Sequence, residues 1–206
     1  MQLHGETVGV ILAGGLARRM GGGDKALLAL HGRPLLSHAI ARLGPQVAAL
    51  ALSANAGAAR FAEFGLPVLP DPLPDHPGPL AGLLAGLDWA AGQGARTVVS
   101  LPVDTPFAPA DLVARLTQAA RDMEAPLAIA AGREACGALR RHPAVGLWPV
   151  ALRGELRAAL ERGERRVGGF AEAHGARLAV WDVGARDPFA NINTPDDLAA
   201  AEERLP

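Results

Sequence analysis

The chain has 206 residues, half of them hydrophobic and 20% charged, enough for one core that buries about 70% of the surface of the unfolded chain. A formal net charge of −1, with no basic run interleaved with aromatics, excludes nucleic-acid binding as the main task. No apolar run approaches the roughly 20 residues of a membrane span, and the single cysteine, Cys136, excludes an intrachain disulfide or a cysteine metal cluster. The expectation is one cytoplasmic, monomeric domain with no nucleic-acid or membrane partner.

Thr7–Ala13 is a continuous apolar run, the pattern of a parallel strand covered on both faces. It is too short for a signal peptide and lacks a basic flank. It leads into Leu12-Ala-Gly-Gly-Leu-Ala-Arg-Arg-Met-Gly-Gly-Gly-Asp-Lys25, the longest glycine-rich stretch in the chain. Of the 20 basic residues, 19 are arginine and Lys25 is the only lysine. Arginine is a broad planar fork, whereas lysine is a compact ammonium on a thin stem that reaches between phosphate oxygens. Where composition has removed every other lysine, this one marks a position arginine does not fill. The loop is no P-loop, since Asp24 precedes the lysine and Ala26 follows it, and it does not complete G-x-G-x-x-G. With Arg18, Arg19 and Lys25 it has the composition to wrap a nucleoside triphosphate.

Pro34–Leu43 predicts a helix that starts at a proline. Gln46–Ala54 predicts a second strand, ending at Asn55, one of only three asparagines. Leu66–Leu69 predicts a short third strand followed by Asp71, inside a stretch (67–79) with six prolines that reads as a rigid extended loop. Pro79–Ala91 predicts an amphipathic helix with Leu80, Leu83, Leu84 and Leu87 at helical spacing. Thr97–Leu101 is another buried strand. Asp104 lies just beyond it, where parallel strands deliver side chains to a ligand, although read alone it only opens an Asp-Thr-Pro turn. Pro109–Arg121 predicts a helix.

The second half is less regular. Leu127–Ala131 and Ala144–Leu147 predict strands, Val150–Leu160 a helix and Leu178–Val183 a last strand. Thr194-Pro-Asp-Asp197 is a capping box with proline at the first helical position. The cap explains Thr194, Pro195 and Asp197 but not Asn191 and Asn193, which lie two apart and therefore on one side of an extended segment. The six histidines are scattered without a metal-like partner at i+4, and His142-Pro143 reads as structural. Strands and helices in alternation predict an α/β protein, a single doubly wound (Rossmann-like) three-layer domain with a mostly parallel sheet.

Leu12-Ala-Gly-Gly, Arg19-Met-Gly, Asp24-Lys25-Ala-Leu-Leu28 and Gly32-Arg-Pro-Leu35 together resemble the signature of the sugar-nucleotide-type nucleotidyltransferases. Ser53-Ala-Asn55, Gly78-Pro-Leu-Ala-Gly82, Pro102-Val-Asp-Thr-Pro106, Gly163-Glu-Arg-Arg-Val167 and Asn191-Ile-Asn-Thr-Pro195 narrow this. The full order is similar to the molybdenum cofactor guanylyltransferases over essentially the whole chain. The resemblance implies transfer of GMP from GTP to molybdenum-bearing molybdopterin, and transient contact with molybdoenzyme maturation proteins. It implies Lys25, Arg19 and Asp104 as catalytic residues, with Mg²⁺ on Asp104. Leu12, Ala13, Gly14, Gly15, Lys25, Asn55, Asp71, Gly78 and Asp104 would bind the nucleotide, Leu12–Gly15 and Gly78–Gly82 selecting guanine. Asn191, Asn193, Arg165 and Arg166 would bind the pterin, so that residues 1–105 form a GTP half and 106–206 a pterin half; read alone, Arg165-Arg166 is as well a solvated helix start. Two departures stand out: Ala56 replaces a frequent basic residue, and Val103 a frequent cysteine. A cytidylyltransferase, a sugar-phosphate nucleotidyltransferase and a non-catalytic delivery module are the rival readings.

Overall fold

The computed structural model describes residues 6–13, 24–55, 57–73, 78–184 and 187–204. In chain order its elements are β1 (Thr7–Leu12), a small hairpin of β2 (Ala29–Leu30) and β3 (Arg33–Pro34), α1 (Leu35–Leu43), β4 (Leu50–Ser53) and β5 (Val68–Leu69). Next come α2 (Pro79–Gln93), β6 (Thr97–Pro102), α3 (Leu112–Ala119), β7 (Ala128–Arg133) and β8 (Leu139–Pro149). The chain closes with α4 (Arg153–Glu161), α5 (Val167–Ala173), β9 (Arg177–Asp182) and α6 (Pro195–Glu202). Among the described residues no helix is long and apolar enough to cross a membrane.

Seven strands form one sheet in the order β5-β4-β1-β6-β8-β7-β9. All neighbours pair in parallel except β8, which runs against both β6 and β7. Successive side chains of a strand point to opposite faces, and β1 shows the consequence. Val8, Val10 and Leu12 pack into one apolar layer with α2, α4 and α5, while Ile11 and Ala13 pack into the other with α1, α3 and α6. This is the expected three-layer, mostly parallel α/β domain.

Helix α2 departs from the expected one-sided pattern. Nine of its residues are buried, among them Ala81, Gly82, Ala85 and Gly86, because the sheet covers one side and α4 packs on it as well. Its two inner glycines set the distance to the sheet. A Cβ on Gly86 would stand 2.9 Å from Val10 Cγ1 and 3.0 Å from Val10 Cβ; one on Gly82 would stand 2.5 Å from Ser53 Oγ. Gly86→Ala is therefore expected to destabilise the protein by about 1–3 kcal/mol through overpacking, against the roughly 1 kcal/mol that helix propensity alone favours alanine. A lower urea midpoint at unchanged slope checks this; a higher midpoint contradicts it.

Among the elements that differ from expectation, three show why. The strand expected over Gln46–Ala54 is only β4, since Gly44–Gln46 forms a 3-10 turn with proline in its first positions. Strand β8 is much longer than Ala144–Leu147, because its first three residues, Leu139-Arg-Arg, though exposed and without apolar alternation, pair with Ala131–Arg133 of β7. His142 and Gly146 pair with the adjacent Ala130 and Ile129, so Pro143–Val145 bulge out of the ladder, where a proline is tolerated. Helix α5 starts directly after Arg166, as a solvated helix start at Arg165-Arg166 would have it, but Gly168 and Gly169, poor helix formers, leave it no further pattern in the sequence.

Candidate active site

In the sheet order, β1 is flanked by β4 and β6. From β1 the chain returns to β4 by way of α1 in one layer. It reaches β6 by way of α2 in the other, so β1 and β6 form a topological switch point, where a doubly wound sheet opens a crevice. A cleft of about 340 Å³ lies there, at the carboxyl ends of β1, β4 and β6.

Lys25 enters from the segment after β1. Asp24 caps the 3-10 turn Lys25–Leu27, its Oδ1 accepting the Ala26 N–H at 3.1 Å. The Lys25 ammonium donates to Asp104 Oδ2 at 2.6 Å and to Asn193 Oδ1 at 2.5 Å. Lys25 and Asp104 are 12% and 13% exposed, so the pair is shielded far more than a surface ion pair. The last loop is tied to the same point through its backbone, as the Ile192 N–H donates to the Asp104 carbonyl at 3.0 Å. The buried hydroxyl of Thr105 donates to Asn191 Oδ1 at 3.3 Å.

The capping box at α6 has a second consequence. Asp197 Oδ2 accepts not only the Thr194 N–H at 2.9 Å but also the Asn193 N–H at 2.8 Å, so the helix cap also fixes the backbone that presents Asn193. These donors, the Asn193 N–H foremost, hold the Asp197 carboxyl below its ordinary value. A lowered folded-state value means that this stabilisation is present at neutral pH and is lost as pH falls through it. Asp197→Ala is expected to cost about 1 kcal/mol of stability, with the deficit shrinking in acid; thermal melts across pH measure both.

On the other wall, Asn55 and Asp71 lock together. Asn55 Nδ2 donates to Asp71 Oδ2 at 2.6 Å, and the Asp71 N–H donates to Asn55 Oδ1 at 2.8 Å. Partial burial pushes the Asp71 carboxyl above its ordinary value, opposed by the Asn55 amide and the Gly78 N–H. Gly78 has φ 134° and ψ −179°, a conformation open essentially to glycine alone. No described atom lies within 4 Å of where its Cβ would stand. Gly78 therefore serves the backbone path into α2, whereas Gly82 serves packing against Ser53.

The cleft brings together Leu12, Ala13, Lys25, Asn55, Asp71, Gly78, Asp104, Asn191 and Asn193. Gly14, Gly15, Arg18, Arg19 and Ala56 lie outside the described residues. Arg165 and Arg166 are not among the described residues that line it. Arg165 Nη1 donates to the carbonyl of Leu160 in the last turn of α4 and to that of Glu164 just beyond it. Arg166, the residue before α5, lines a neighbouring cavity of about 460 Å³ with Arg141 and Pro143. The two hollows are side by side on β8, Ala144 lining the first and Pro143 the second. Sequence reasoning missed Thr105 as the holder of Asn191, although it stands inside the Asp-Thr-Pro motif, and took Asp197 as a cap alone.

Asp104 Oδ1 is buried and has no hydrogen-bond partner among the described residues. Nor do the described residues hold a cluster of three His, Cys, Asp or Glu side chains able to bind a metal. One carboxylate with a spare oxygen fits Mg²⁺, which is usually held by one or two carboxylates, waters and substrate phosphates.

Comparison with known proteins gives one consistent result. The family described as MobA-like NTP transferase domain matches residues 9–177. The molybdenum cofactor guanylyltransferase of Rhodopseudomonas palustris (strain BisB5) is 50% identical over 202 residues, 97% of this chain and 94% of that protein. The molybdenum cofactor guanylyltransferase of Cereibacter sphaeroides is 55% identical over 198 residues, 96% of each chain. Among solved structures, molybdopterin-guanine dinucleotide biosynthesis protein A of Archaeoglobus fulgidus superposes with a TM-score of 0.71 at 22% identity. That alignment covers 96% of this chain and 97% of that one, and it shows the fold. With identities of half or more running nearly end to end, this chain belongs to the molybdenum cofactor guanylyltransferases, nucleotidyltransferases with the MobA-like NTP transferase domain.

Proposed function

We propose that this cleft transfers GMP from GTP to the terminal phosphate of molybdenum-bearing molybdopterin, yielding the guanine dinucleotide cofactor and pyrophosphate. The observation that carries the proposal is the Lys25 ammonium, fixed at the switch point by Asp104 and Asn193. A phosphate oxygen of the pterin attacks the α-phosphorus of GTP; the bond from that phosphorus to the β-phosphate oxygen breaks, and pyrophosphate leaves with the electron pair. The nucleophile is already an anion, so no general base is required. What remains for the protein is to hold two anions together and to neutralise charge on the leaving group.

Lys25 supplies a preorganised positive charge for the leaving phosphates, and Arg19 with the loop amides adds to it. Asp104 would hold Mg²⁺, which supplies Lewis-acid neutralisation of phosphate oxygens when bound. Leu12, Ala13 and Gly78 border the nucleoside, Gly14 and Gly15 being assigned to it as members of the same motif, with Asn55 and Asp71 holding it. Asn191 and Asn193 face the pterin side, and Arg165 and Arg166 are assigned to the pterin with them, Arg166 from the cavity it shares with Arg141 and Pro143. On this reading residues 1–105 form the GTP half and 106–206 the pterin half of a cytoplasmic, monomeric enzyme.

Nucleotide choice is read by thermal shift. A ligand present at 100 times its Kd stabilises by about 2.7 kcal/mol, or about 5–10 °C in Tm for a chain of this size. GTP with Mg²⁺ is expected to give that shift, and CTP at equal concentration a much smaller one. An equal or larger shift with CTP would move the reading to a cytidylyltransferase.

Asp71 gives a pH dependence. As an acceptor of guanine or ribose donors it must be ionised, and burial raises its folded-state value. Guanosine affinity is therefore expected to weaken as pH falls through that raised value, and Asp71→Asn to bind more weakly without the pH step. Guanosine avoids titrating phosphates, and calorimetry at several pH values measures it; a wild-type profile flat in acid contradicts the assignment.

A further inference from the structure

We propose that Arg60 is a positioning residue of this reaction, acting through Asp24 on Lys25 and making no contact with the nucleotide. The inference rests on the role given to Lys25 above. Asp24 precedes the lysine and is only 11% exposed. Its two carboxylate oxygens have separate partners: Oδ1 takes the Ala26 N–H at 3.1 Å, and Oδ2 takes Arg60 Nη2 at 2.9 Å. The first bond starts the turn that presents Lys25. The second supplies the charge that lets the carboxylate remain there, because a shielded carboxylate without a counter-charge competes for the nearest ammonium.

Arg60 comes from the 3-10 segment Ala58–Phe64, which follows Asn55 on the opposite wall. Its guanidinium lies 5.1 Å from the centre of the Phe61 ring, and that ring belongs to a residue 1% exposed. Gly57, at φ 59° and ψ 66°, takes the left-handed conformation from which this segment starts. The Arg60–Asp24 pair thus joins the wall that bears Asn55 to the turn that bears Lys25. With its guanidinium engaged by Asp24 and lying over Phe61, Arg60 is not among the described residues lining the cleft.

The test is steady-state pyrophosphate release from GTP, Mg²⁺ and molybdopterin by Arg60→Ala, Lys25→Ala and the double variant. Arg60→Ala is expected to lower kcat about tenfold, as a small misplacement of a charged group would, with KM for GTP changed less than about twofold. In the Lys25→Ala background it is expected to cost less than about twofold, having no lysine left to position. Arg60→Lys keeps a cation for Asp24 and is expected to recover most of the rate. A rise in KM for GTP at unchanged kcat, or a full tenfold loss persisting without Lys25, overturns the proposal and puts Arg60 on the nucleotide or in general support of the fold. Lys25→Ala alone reports on the underlying reading: full activity there removes the role of Lys25 and the proposal with it. If Arg60→Ala fails to fold, Arg60→Gln keeps the stem over Phe61 and gives the same comparison.

Discussion

Lys25→Met is expected to lower the rate of pyrophosphate release from GTP and molybdopterin by roughly 10²–10³-fold, the usual cost of removing one preorganised charge stabiliser. Methionine keeps the length and the apolar stem, so the loss isolates the ammonium. The more discriminating substitution is Lys25→Arg. The ammonium sits between two oxygens, at 2.6 Å from Asp104 and 2.5 Å from Asn193. A planar guanidinium presents its donors in a fixed fork and is bulkier than a single nitrogen. It keeps the charge but displaces one of the two oxygens. Lys25→Arg is therefore expected to lose at least about tenfold, on the scale of a misplaced catalytic group. Wild-type turnover by Lys25→Arg would mean that the solitary lysine is a compositional accident.

The second large effect concerns Asp104. Asp104→Asn is expected to abolish Mg²⁺-dependent turnover, because it removes both the counter-charge of Lys25 and the hard anionic oxygen that a divalent cation prefers. The residue's backbone role survives, since its carbonyl still accepts the Ile192 N–H. Loss of function should thus come with a modest change in melting temperature. Electron paramagnetic resonance of Mn²⁺ with GTP provides a readout separate from activity: the variant should leave the ion outside the protein. Retained turnover with Mn²⁺ still bound would place the metal on other groups.

The parts of this protein governed by short-range physics were legible in the amino-acid order. Thr7–Leu12 and Thr97–Pro102 are runs that only a strand covered on both faces accommodates, and the Thr194–Asp197 capping box marks a helix start from four residues. Lys25, Asp104 and Asn193 stand out in the sequence as candidates, since each lies beside a predicted element or motif and two are rare types in this chain, and the structure brings all three to one cleft. What the order alone left open is who partners whom. Lys25 and Asp104 are 79 residues apart, and Lys25 and Asn193 168. The pairing of β1 with β6 sets the segment bearing Lys25 beside Asp104, and the Ile192 N–H on the Asp104 carbonyl brings Asn193 to both. Charged Leu139-Arg-Arg gave no sign of a strand because its pairing is dictated by β7 and not by its own apolar pattern. Arg165 and Arg166 matched a motif, yet Arg165 turns toward the end of α4 and Arg166 lines the adjoining cavity. Arg60 carries no motif; its relation to Asp24 exists only once the two walls of the cleft are in place.

The most direct measurement is product formation itself. Purified protein is mixed with Mg²⁺, molybdenum-bearing molybdopterin and either GTP or CTP, and pyrophosphate and the dinucleotide product are quantified together. One pyrophosphate per guanine dinucleotide formed, with GTP strongly preferred over CTP, is the predicted result. No pyrophosphate with GTP, or faster turnover with CTP, would contradict the assignment of this cleft.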